Sequence, residues 1–290
     1  MRSLFCFSFL TITGTVACLL ACTSTSDSSS SSSSSGGTSS GGTSSSSSGG
    51  AAAPEKMSRT DETIDVDGTS RKYILSVPKS YVATRKYPLV LALHGDGQDA
   101  ASFVSFLGLE PVAGDDVIIA YADHSEDLFT PYEENNDQKL IAAILPAVSS
   151  KRSIDAAKIW GVGYSKGGYQ LNQIACRKPG LLKAIAVHAG GAPQDRDGED
   201  AISCPSAVGL PAFVTHGAND EPSGGEYAAD YWAGLAGCGS TRKATTPTIC
   251  QAYDGCPKDK PVVFCVVPNQ PHFPIYAAAG EHTWGWLKTL

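Results

Sequence analysis

Ser165 is the residue whose surroundings most clearly indicate chemistry. Residues 163–167 read Gly-Tyr-Ser-Lys-Gly, a G-x-S-x-G pattern that follows the apolar run 159–162 and precedes a helical segment. A strand, a sharp turn and a helix form the context that this motif requires, and the flanking glycines let strand and helix approach each other. The turn would hold the hydroxyl above the sheet edge, at a helix N-terminus that favours developing negative charge. The pattern therefore predicts a serine nucleophile.

A serine becomes an effective nucleophile only when a base takes its proton and a carboxylate orients that base. After Ser165 the chain offers an acid and then a histidine, each in a loop that follows an apolar, strand-like run. Loops at the C-terminal ends of strands are where an open α/β sheet places its sites. We predict Asp220 as the acid and His272 as the base.

Other side chains compete for these two roles. Glu221 is the nearest alternative acid, and His282 is the alternative base, although residues 277–290 read as a closing helix that favours a surface or packing role. Three further histidines are assigned other roles. His188 and His216 end strands near the core and are interpreted as structural, whereas His124 lies in a loop and could line the mouth of the site.

Hydrolysis through a tetrahedral intermediate also needs N–H donors for its oxyanion. One donor should be the backbone N–H of Lys166, directly after the nucleophile, and the other that of Asp96, in the glycine-containing loop 93–98. A carboxylate beside an oxyanion would oppose it, so the Asp96 side chain is expected to point away, toward Lys166 or solvent. A simple glycine turn is the alternative interpretation of this loop.

The apolar pattern predicts the elements that would position these residues. Residues 62–67 and 71–77 are strand-like and flank an Asp-Gly pair, which indicates a hairpin. Short runs that are apolar throughout follow, as expected of strands covered on both faces. The runs are residues 89–93, 117–120, 159–162, 184–187, 212–214 and 262–264, and helical patterns lie at 140–148, 167–176 and 226–235. This alternation predicts an α/β fold with a mostly parallel central sheet flanked by helices.

Composition limits the classes of function. The 290 residues carry a formal net charge of −7, from 22 Lys and Arg against 29 Asp and Glu, with no basic stripe. Phosphate binding needs clustered cations, so we predict no nucleic-acid partner. The sequence shows neither a nucleotide-binding glycine fingerprint nor a cluster of metal ligands. We therefore predict no cofactor and no metal. We also expect a monomeric protein.

The N-terminal region predicts export. Residues 1–21 combine Arg2 with a short apolar stretch, and they end in Leu-Leu-Ala before Cys22, which resembles a bacterial lipoprotein signal with lipidation at that cysteine. The alternative is an ordinary signal peptide with a cysteine near its cleavage point. Residues 22–53 are Ser- and Gly-rich and predict a disordered tether, which leaves 54–290 as the catalytic domain. We expect an extracellular or cell-envelope protein that touches the membrane only through its lipid.

The cysteines beyond the proposed anchor indicate disulfides. There are six, an even count that in an exported chain favours pairing over metal binding or catalysis. They are Cys176, Cys204, Cys238, Cys250, Cys256 and Cys265. We predict that the first two pair with each other, and that the other four pair among themselves and brace the loop leading to His272.

The motifs taken together resemble those of a known family. They are, in order, Asp-Gly at 67–68 with Arg-Lys-Tyr at 71–73, the segment 88–98, Ile-Asp at 154–155, the segment 163–168, and His-Gly at 216–217 followed by Asp220. Over roughly residues 62–290, the chain resembles the extracellular polyhydroxybutyrate depolymerase and feruloyl/acetylxylan esterase group of α/β-hydrolases. The resemblance implies the α/β-hydrolase fold and Ser-Asp-His ester hydrolysis without metal or cofactor.

These inferences predict a surface-anchored serine esterase that cleaves carboxylic esters of a polymer or its oligomers, of feruloyl, acetylxylan or polyhydroxyalkanoate type. Aromatic residues that could line the cleft, or simply pack, are Phe129, Tyr132, Tyr164 and Phe273. One alternative is a non-catalytic binding module on a hydrolase scaffold. Another is a peptidase or thioesterase of the same fold.

Overall fold

The computed structural model describes residues 55–124, 135–193 and 208–290. The described residues all fall within one compact unit, and residues 1–54 lie outside them. The predicted export signal, the lipidated Cys22 and the tether therefore remain predictions. Within the described ranges, no helix is both long enough and apolar enough to cross a membrane.

The chain begins with the predicted hairpin. Strand β1 (Met57–Val66) pairs antiparallel with β2 (Thr69–Pro78) along its full length. The two residues between them, Asp67 and Gly68, have φ values of 50° and 83°. A two-residue turn with both φ positive matches the right-handed twist of the flanking strands, and Asp-Gly is among the pairs that tolerate it best. The hairpin prediction is confirmed.

Eight further strands complete one sheet within the described residues. They are β3 (Tyr87–Leu93), β4 (Ile118–Ala122), β5 (Ile154–Tyr164), β6 (Ala184–His188), β7 (Ala212–Gly217), β8 (Arg242–Thr245), β9 (Cys250–Tyr253) and β10 (Val262–Val267). The spatial order is β1-β2-β4-β3-β5-β6-β7-β10-β9-β8. The six predicted apolar runs form six neighbouring strands, in the spatial order β4, β3, β5, β6, β7 and β10, which pair parallel. Antiparallel strands extend this parallel part of the sheet at both edges.

The central strands are apolar throughout because both of their faces are covered. In β3, Leu89, Leu91 and Leu93 belong to one core cluster, and Val90 and Ala92 belong to a second. Buried side chains from α3 (Asn136–Lys151), α4 (Lys166–Arg177) and α5 (Ser223–Ala236) complete the first cluster. Those from α1 (Ala100–Leu107), α2 (Glu110–Ala113) and α6 (Ala279–Leu287) complete the second. Helices on both faces of a mostly parallel sheet confirm the predicted α/β architecture.

Four of the predicted cysteines pair among themselves, as Cys238–Cys256 and Cys250–Cys265. The second bridge joins β9 to β10, the strand that leads into the loop carrying His272. Cys176 in α4 is also disulfide-bonded. Its predicted partner, Cys204, lies outside the described residues, so that pairing remains a prediction.

Candidate active site

Ser165 occupies a strained turn between β5 and α4. Its φ of 51° and ψ of −121° are rare for a residue with a side chain, and they reverse the chain within one residue. A Cβ on Gly163 would lie 2.4 Å from the carbonyl oxygen of Gly167, and a Cβ on Gly167 would lie 2.2 Å from that of Leu93. Only glycine fits at either position, so the spacing of the motif follows from the close approach of strand, turn and helix.

Ser165, His272 and Asp220 form a continuous chain of hydrogen bonds. Ser165 Oγ lies 2.8 Å from His272 Nε2. His272 Nδ1 lies 3.0 and 2.9 Å from the two carboxylate oxygens of Asp220. Because a carboxylate only accepts, His272 carries its proton on Nδ1 and leaves Nε2 free to accept from the serine hydroxyl. This geometry suits a serine, a base and an orienting acid.

Two loops at the C-terminal edge of the sheet carry the predicted acid and the predicted base. Asp220 follows β7 and His272 follows β10, and these two strands are parallel neighbours. Glu221, the alternative acid, is exposed, whereas only 15% of the Asp220 side chain is accessible. His282, the alternative base, lies in α6 with its ring 5.7 Å from that of Tyr276.

His216 also reaches the acid. Its Nδ1 lies 3.4 Å from an Asp220 carboxylate oxygen. Burial lowers the pKa of this imidazole, and the charge of Asp220 opposes that shift. The sequence suggested a structural histidine at this strand end, and the structure additionally places it against the carboxylate that faces His272.

The other two histidines that the sequence singled out, His188 and His124, are buried. His188 Nδ1 and Nε2 lie 2.6 and 2.9 Å from the hydroxyls of Thr215 and Thr283, and burial lowers its pKa to about 3. His124 is only 3% exposed, so the suggestion that it lines the mouth of the site is wrong. It lies within the protein instead, two residues after the end of β4, with its Nε2 2.8 Å from the carbonyl oxygen of His94.

The predicted oxyanion loop packs against both sides of the nucleophile. A Cβ on Gly95 would lie 2.7 Å from the Tyr164 ring, and the carbonyl oxygen of Leu93 abuts Gly167. Lys166, the other predicted donor, is the first residue of α4. The Asp96 side chain is 86% exposed, with Oδ1 3.7 Å from Lys166 Nζ. The carboxylate thus points toward the lysine and solvent, as the sequence suggested.

Aromatic side chains form one wall beside the base. The ring of Tyr164 lies 5.6 Å from that of His272, and its hydroxyl donates to the His272 carbonyl at 2.5 Å. Phe106 stacks on Phe273 with ring centroids 5.5 Å apart, and Phe273 is 63% exposed. The sequence reasoning missed Phe106, because the short helix α1 that carries it gave no clear signal. Phe129 and Tyr132 lie outside the described residues.

The described residues contain no group of three or more His, Cys, Asp or Glu side chains arranged to hold a metal ion. The polar groups that converge at the site are instead a hydroxyl, an imidazole, a carboxylate and a loop beside a helix N-terminus. Such an arrangement can carry out acyl transfer by nucleophilic and general acid–base catalysis.

Sequence comparison connects the chain with fungal esterases, although no family model matches it. A probable feruloyl esterase C of Aspergillus terreus is 28% identical over 211 residues, which cover 67% of this chain and 73% of the relative. Feruloyl esterase D of Neurospora crassa is 22% identical over 240 residues, covering 76% and 80%. A probable feruloyl esterase C of Aspergillus flavus is 31% identical over a shorter stretch, 42% of this chain and 47% of the relative.

Solved structures share the fold. An acetyl xylan esterase from Aspergillus awamori superposes with a TM-score of 0.63 at 18% identity, covering 80% of this chain and all of the other. A ferulic acid esterase from Anaeromyces mucronatus, in complex with ferulic acid, superposes with a TM-score of 0.54 at 16% identity, covering 80% of this chain and 89% of the other. An S-formylglutathione hydrolase from Agrobacterium tumefaciens superposes with a TM-score of 0.57 at 14% identity, covering 81% of this chain and 96% of the other. This chain therefore has the α/β-hydrolase fold, and its sequence is similar to those of feruloyl esterases.

Proposed function

We propose that this protein is a serine esterase that hydrolyses carboxylic esters with Ser165, His272 and Asp220. The observation that carries the proposal is the unbroken hydrogen-bond chain from Ser165 Oγ through His272 to Asp220, at 2.8 and 2.9 Å. Relatives named as feruloyl esterases support the ester as the bond that is cleaved.

In the first half of the reaction, Ser165 Oγ attacks the ester carbonyl carbon while His272 Nε2 takes the hydroxyl proton. Asp220 holds the Nδ1–H tautomer and stabilises the imidazolium that forms. The tetrahedral intermediate collapses, the ester C–O bond breaks, and the alcohol leaves with the proton from His272. An acyl-enzyme remains on Ser165.

In the second half, water attacks the acyl-enzyme while His272 Nε2 takes one of its protons. The bond to Ser165 Oγ breaks, the proton returns to that oxygen, and the carboxylic acid is released. In both halves the oxyanion would be bound by the backbone N–H groups of Lys166 and Asp96, where α4 begins and where the loop packs against it.

The aromatic wall favours an aromatic acyl group among the candidate esters. Phe273 follows the base directly, and its stacking on Phe106 leaves a flat apolar face in solvent beside the reacting atoms. A hydroxycinnamoyl ring can lie against such a face and bury apolar area. We therefore place feruloyl esters first, ahead of acetylated xylan and polyhydroxyalkanoate.

We further propose that the enzyme acts outside the cytoplasm on polymeric or oligomeric material. The disulfides Cys238–Cys256 and Cys250–Cys265 support this location, because such bonds persist in oxidising compartments. Anchoring through lipidated Cys22 and a monomeric state remain part of the proposal. Metabolic labelling with a clickable fatty acid, comparing the native chain with Cys22→Ala, tests the anchor.

The activity is tested with a panel of substrates on the full chain and on Ser165→Ala. The panel contains methyl ferulate, p-nitrophenyl acetate, acetylated xylan, short polyhydroxybutyrate and a feruloyl amide. We expect turnover of the esters with methyl ferulate foremost, little or none of the amide, and loss of nearly all activity in the variant. Fluorophosphonate should label the wild type only. Robust amide cleavage without ester cleavage would contradict the proposal, as would labelling that persists in Ser165→Ala.

A further inference from the structure

Two buried imidazoles stack beneath the predicted oxyanion loop. His94 follows β3 and His124 follows β4, and these neighbouring parallel strands end side by side, with Leu93 opposite Ala122. The two rings lie 4.1 Å apart, centroid to centroid, with an angle of 22° between their planes. They are 4% and 3% exposed, so neither contributes to the accessible surface of the cleft.

Each ring holds one carbonyl of the loop. His94 Nδ1 lies 2.8 Å from the carbonyl oxygen of Gly95, and His124 Nε2 lies 2.8 Å from that of His94. Because a carbonyl oxygen only accepts, the imidazoles must donate, which fixes the proton on Nδ1 of His94 and on Nε2 of His124. Two consecutive peptide groups are thus held by side chains beneath them.

The second of these peptide groups contains the predicted oxyanion donor. The Gly95 carbonyl and the Asp96 N–H belong to one planar trans peptide, in which C=O and N–H point in opposite directions. Gln98 adds two bonds, since its N–H donates to the Gly95 carbonyl at 3.3 Å and its Oε1 accepts from the Gly95 N–H at 3.0 Å. Holding the carbonyl toward His94 therefore aims the Asp96 N–H away from the imidazole.

Two carboxylates lie near the outer nitrogens of the stack, beyond hydrogen-bond distance. His124 Nδ1 lies 3.9 Å from a carboxylate oxygen of Asp137. Asp137 is fully buried and forms an ion pair with Arg71 of strand β2. His94 Nε2 lies 3.8 Å from Asp123. Burial and the neighbouring His94 lower the pKa of His124 to about 4, although Asp137 opposes the shift. His124 is thus neutral near pH 7 and keeps the Nε2–H tautomer that its carbonyl partner requires.

We propose that the stacked His94 and His124 are positioning residues that aim the Asp96 N–H at the oxyanion. The inference rests on the proposed function, because an oxyanion arises only if acyl transfer occurs. It assigns the two imidazoles no contact with substrate and no proton transfer. Their effect should therefore appear in the chemical step and in the order of one backbone amide.

Matched pairs of variants separate the hydrogen bond from the packing. His124→Gln can place an amide N–H where Nε2–H donates, whereas His124→Leu fills similar space without a donor. We expect kcat for methyl ferulate to fall ten- to a hundred-fold in His124→Leu with KM within about twofold, and to recover most of that loss in His124→Gln. The loss of kcat should not exceed the 10²- to 10³-fold loss that follows removal of an entire oxyanion donor. His94→Asn and His94→Ala form a second pair with the same expectation.

A second measurement is independent of turnover. In ¹⁵N-labelled protein, the order parameter of the Asp96 amide should drop in His124→Leu and His94→Ala and return toward the wild-type value in the donor-retaining variants. Equal losses in both members of a pair, or a change in KM alone, would overturn the inference. If the wild type cleaves no ester, the proposed function fails; an unchanged Asp96 order parameter in both donor-lacking variants would then separately refute the positioning. If His124→Leu does not fold, the His94 pair decides.

Discussion

The choice between the candidate acids and bases depends on which side chains form the hydrogen-bond chain with Ser165. Asp220 and Glu221 are adjacent in sequence, but the carboxylate of Asp220 meets His272 at 2.9 Å, and Glu221 faces solvent. His272 and His282 lie in neighbouring segments, but only His272 reaches the serine hydroxyl, at 2.8 Å. Glu221 and His282 can therefore serve as control positions for Asp220 and His272.

At this scale we expect His272→Ala and Asp220→Ala each to lower kcat/KM for an ester by several orders of magnitude. The alanine at 272 leaves the serine proton without an acceptor, and the alanine at 220 leaves the imidazole without its orienting charge. Losses of 10³-fold or more are the usual scale for such groups, and they are not additive, because the residues act as a unit. Steady-state kinetics of the single and double variants measure both effects.

The matched controls are His282→Ala and Glu221→Gln, which should stay within a few-fold of the wild type. His282 packs on Tyr276 outside the hydrogen-bond chain, and Glu221 is exposed. A larger loss from His282→Ala than from His272→Ala would show that the assignment of the base is wrong.

Residue types and their order along the chain were sufficient to predict that Ser165, Asp220 and His272 lie together, because each had to follow a strand in a fixed order. The contact between His216 and Asp220 was not predictable. The apolar run ends at residue 214, whereas β7 continues to Gly217, and the direction of a strand-end side chain depends on that extension. Phe106 gave no signal, because only its stacking on Phe273 distinguishes it from an ordinary helical phenylalanine.

At the scale of elements, the turn between β5 and α4 should tolerate almost no change. In Gly167→Ala the new methyl group would lie 2.2 Å from the Leu93 carbonyl and 2.5 Å from that of His94, and backbone atoms cannot rotate away as a side chain could. We expect both lower thermal stability and loss of esterase activity, because relieving the clash moves α4 away from the oxyanion loop. Thermal melts and ester kinetics of the purified variant measure the two effects.

Gly234→Ala in α5 is the control for that change. A Cβ there meets nothing within 4 Å, and Ala is favoured over Gly in a helix interior by about 1 kcal/mol. We therefore expect unchanged activity and an equal or higher melting temperature. A Gly167→Ala protein as active as Gly234→Ala would contradict the packing argument.

The bridge between β9 and β10 stabilises the edge of the sheet that leads to His272. Cys250 and Cys265 are 15 residues apart, and a closed loop of that size is worth about 3 kcal/mol in the chain-entropy description. The double substitution to Ala should lower the melting temperature clearly and raise proteolysis near the β9–β10 edge. Cys238→Ala with Cys256→Ala provides the comparison, and a melting temperature unchanged in both double variants would contradict the stabilising role.

Element prediction succeeded where the apolar pattern or the turn residues were distinctive, and it failed for short elements. The central strands read as continuous apolar runs because each face packs on a different core cluster. Strands β8 and β9 were missed because they are four residues each, and β8 is only partly buried or exposed along its length. Helix α1 was also missed, because it is only eight residues long; its N-cap is Asp99, whose side chain accepts from the Ser102 N–H.

At the scale of the whole molecule, His188 links the sheet to the closing helix. It ends β6, and its two nitrogens face Thr215 in β7 and Thr283 in α6, with Tyr276 and His282 nearby. Threonine hydroxyls can donate to one nitrogen and accept from the other, which satisfies a neutral imidazole. Burial disfavours the charged imidazole at this position, and the neighbouring His282 disfavours it further, so the pKa of His188 is low.

This burial predicts that the protein loses stability in mild acid. The pKa of His188 falls from 6.5 in the unfolded chain to about 3 in the fold, so the unfolded state binds the extra proton, and stability is present above pH 6.5 and declines below it. Between pH 6.5 and 5.0 the free energy of unfolding should drop by about 2 kcal/mol from this residue alone. Urea denaturation of the wild type and of His188→Gln at both pH values measures the drop, which should be smaller in the variant. Equal drops would show that His188 does not carry the effect.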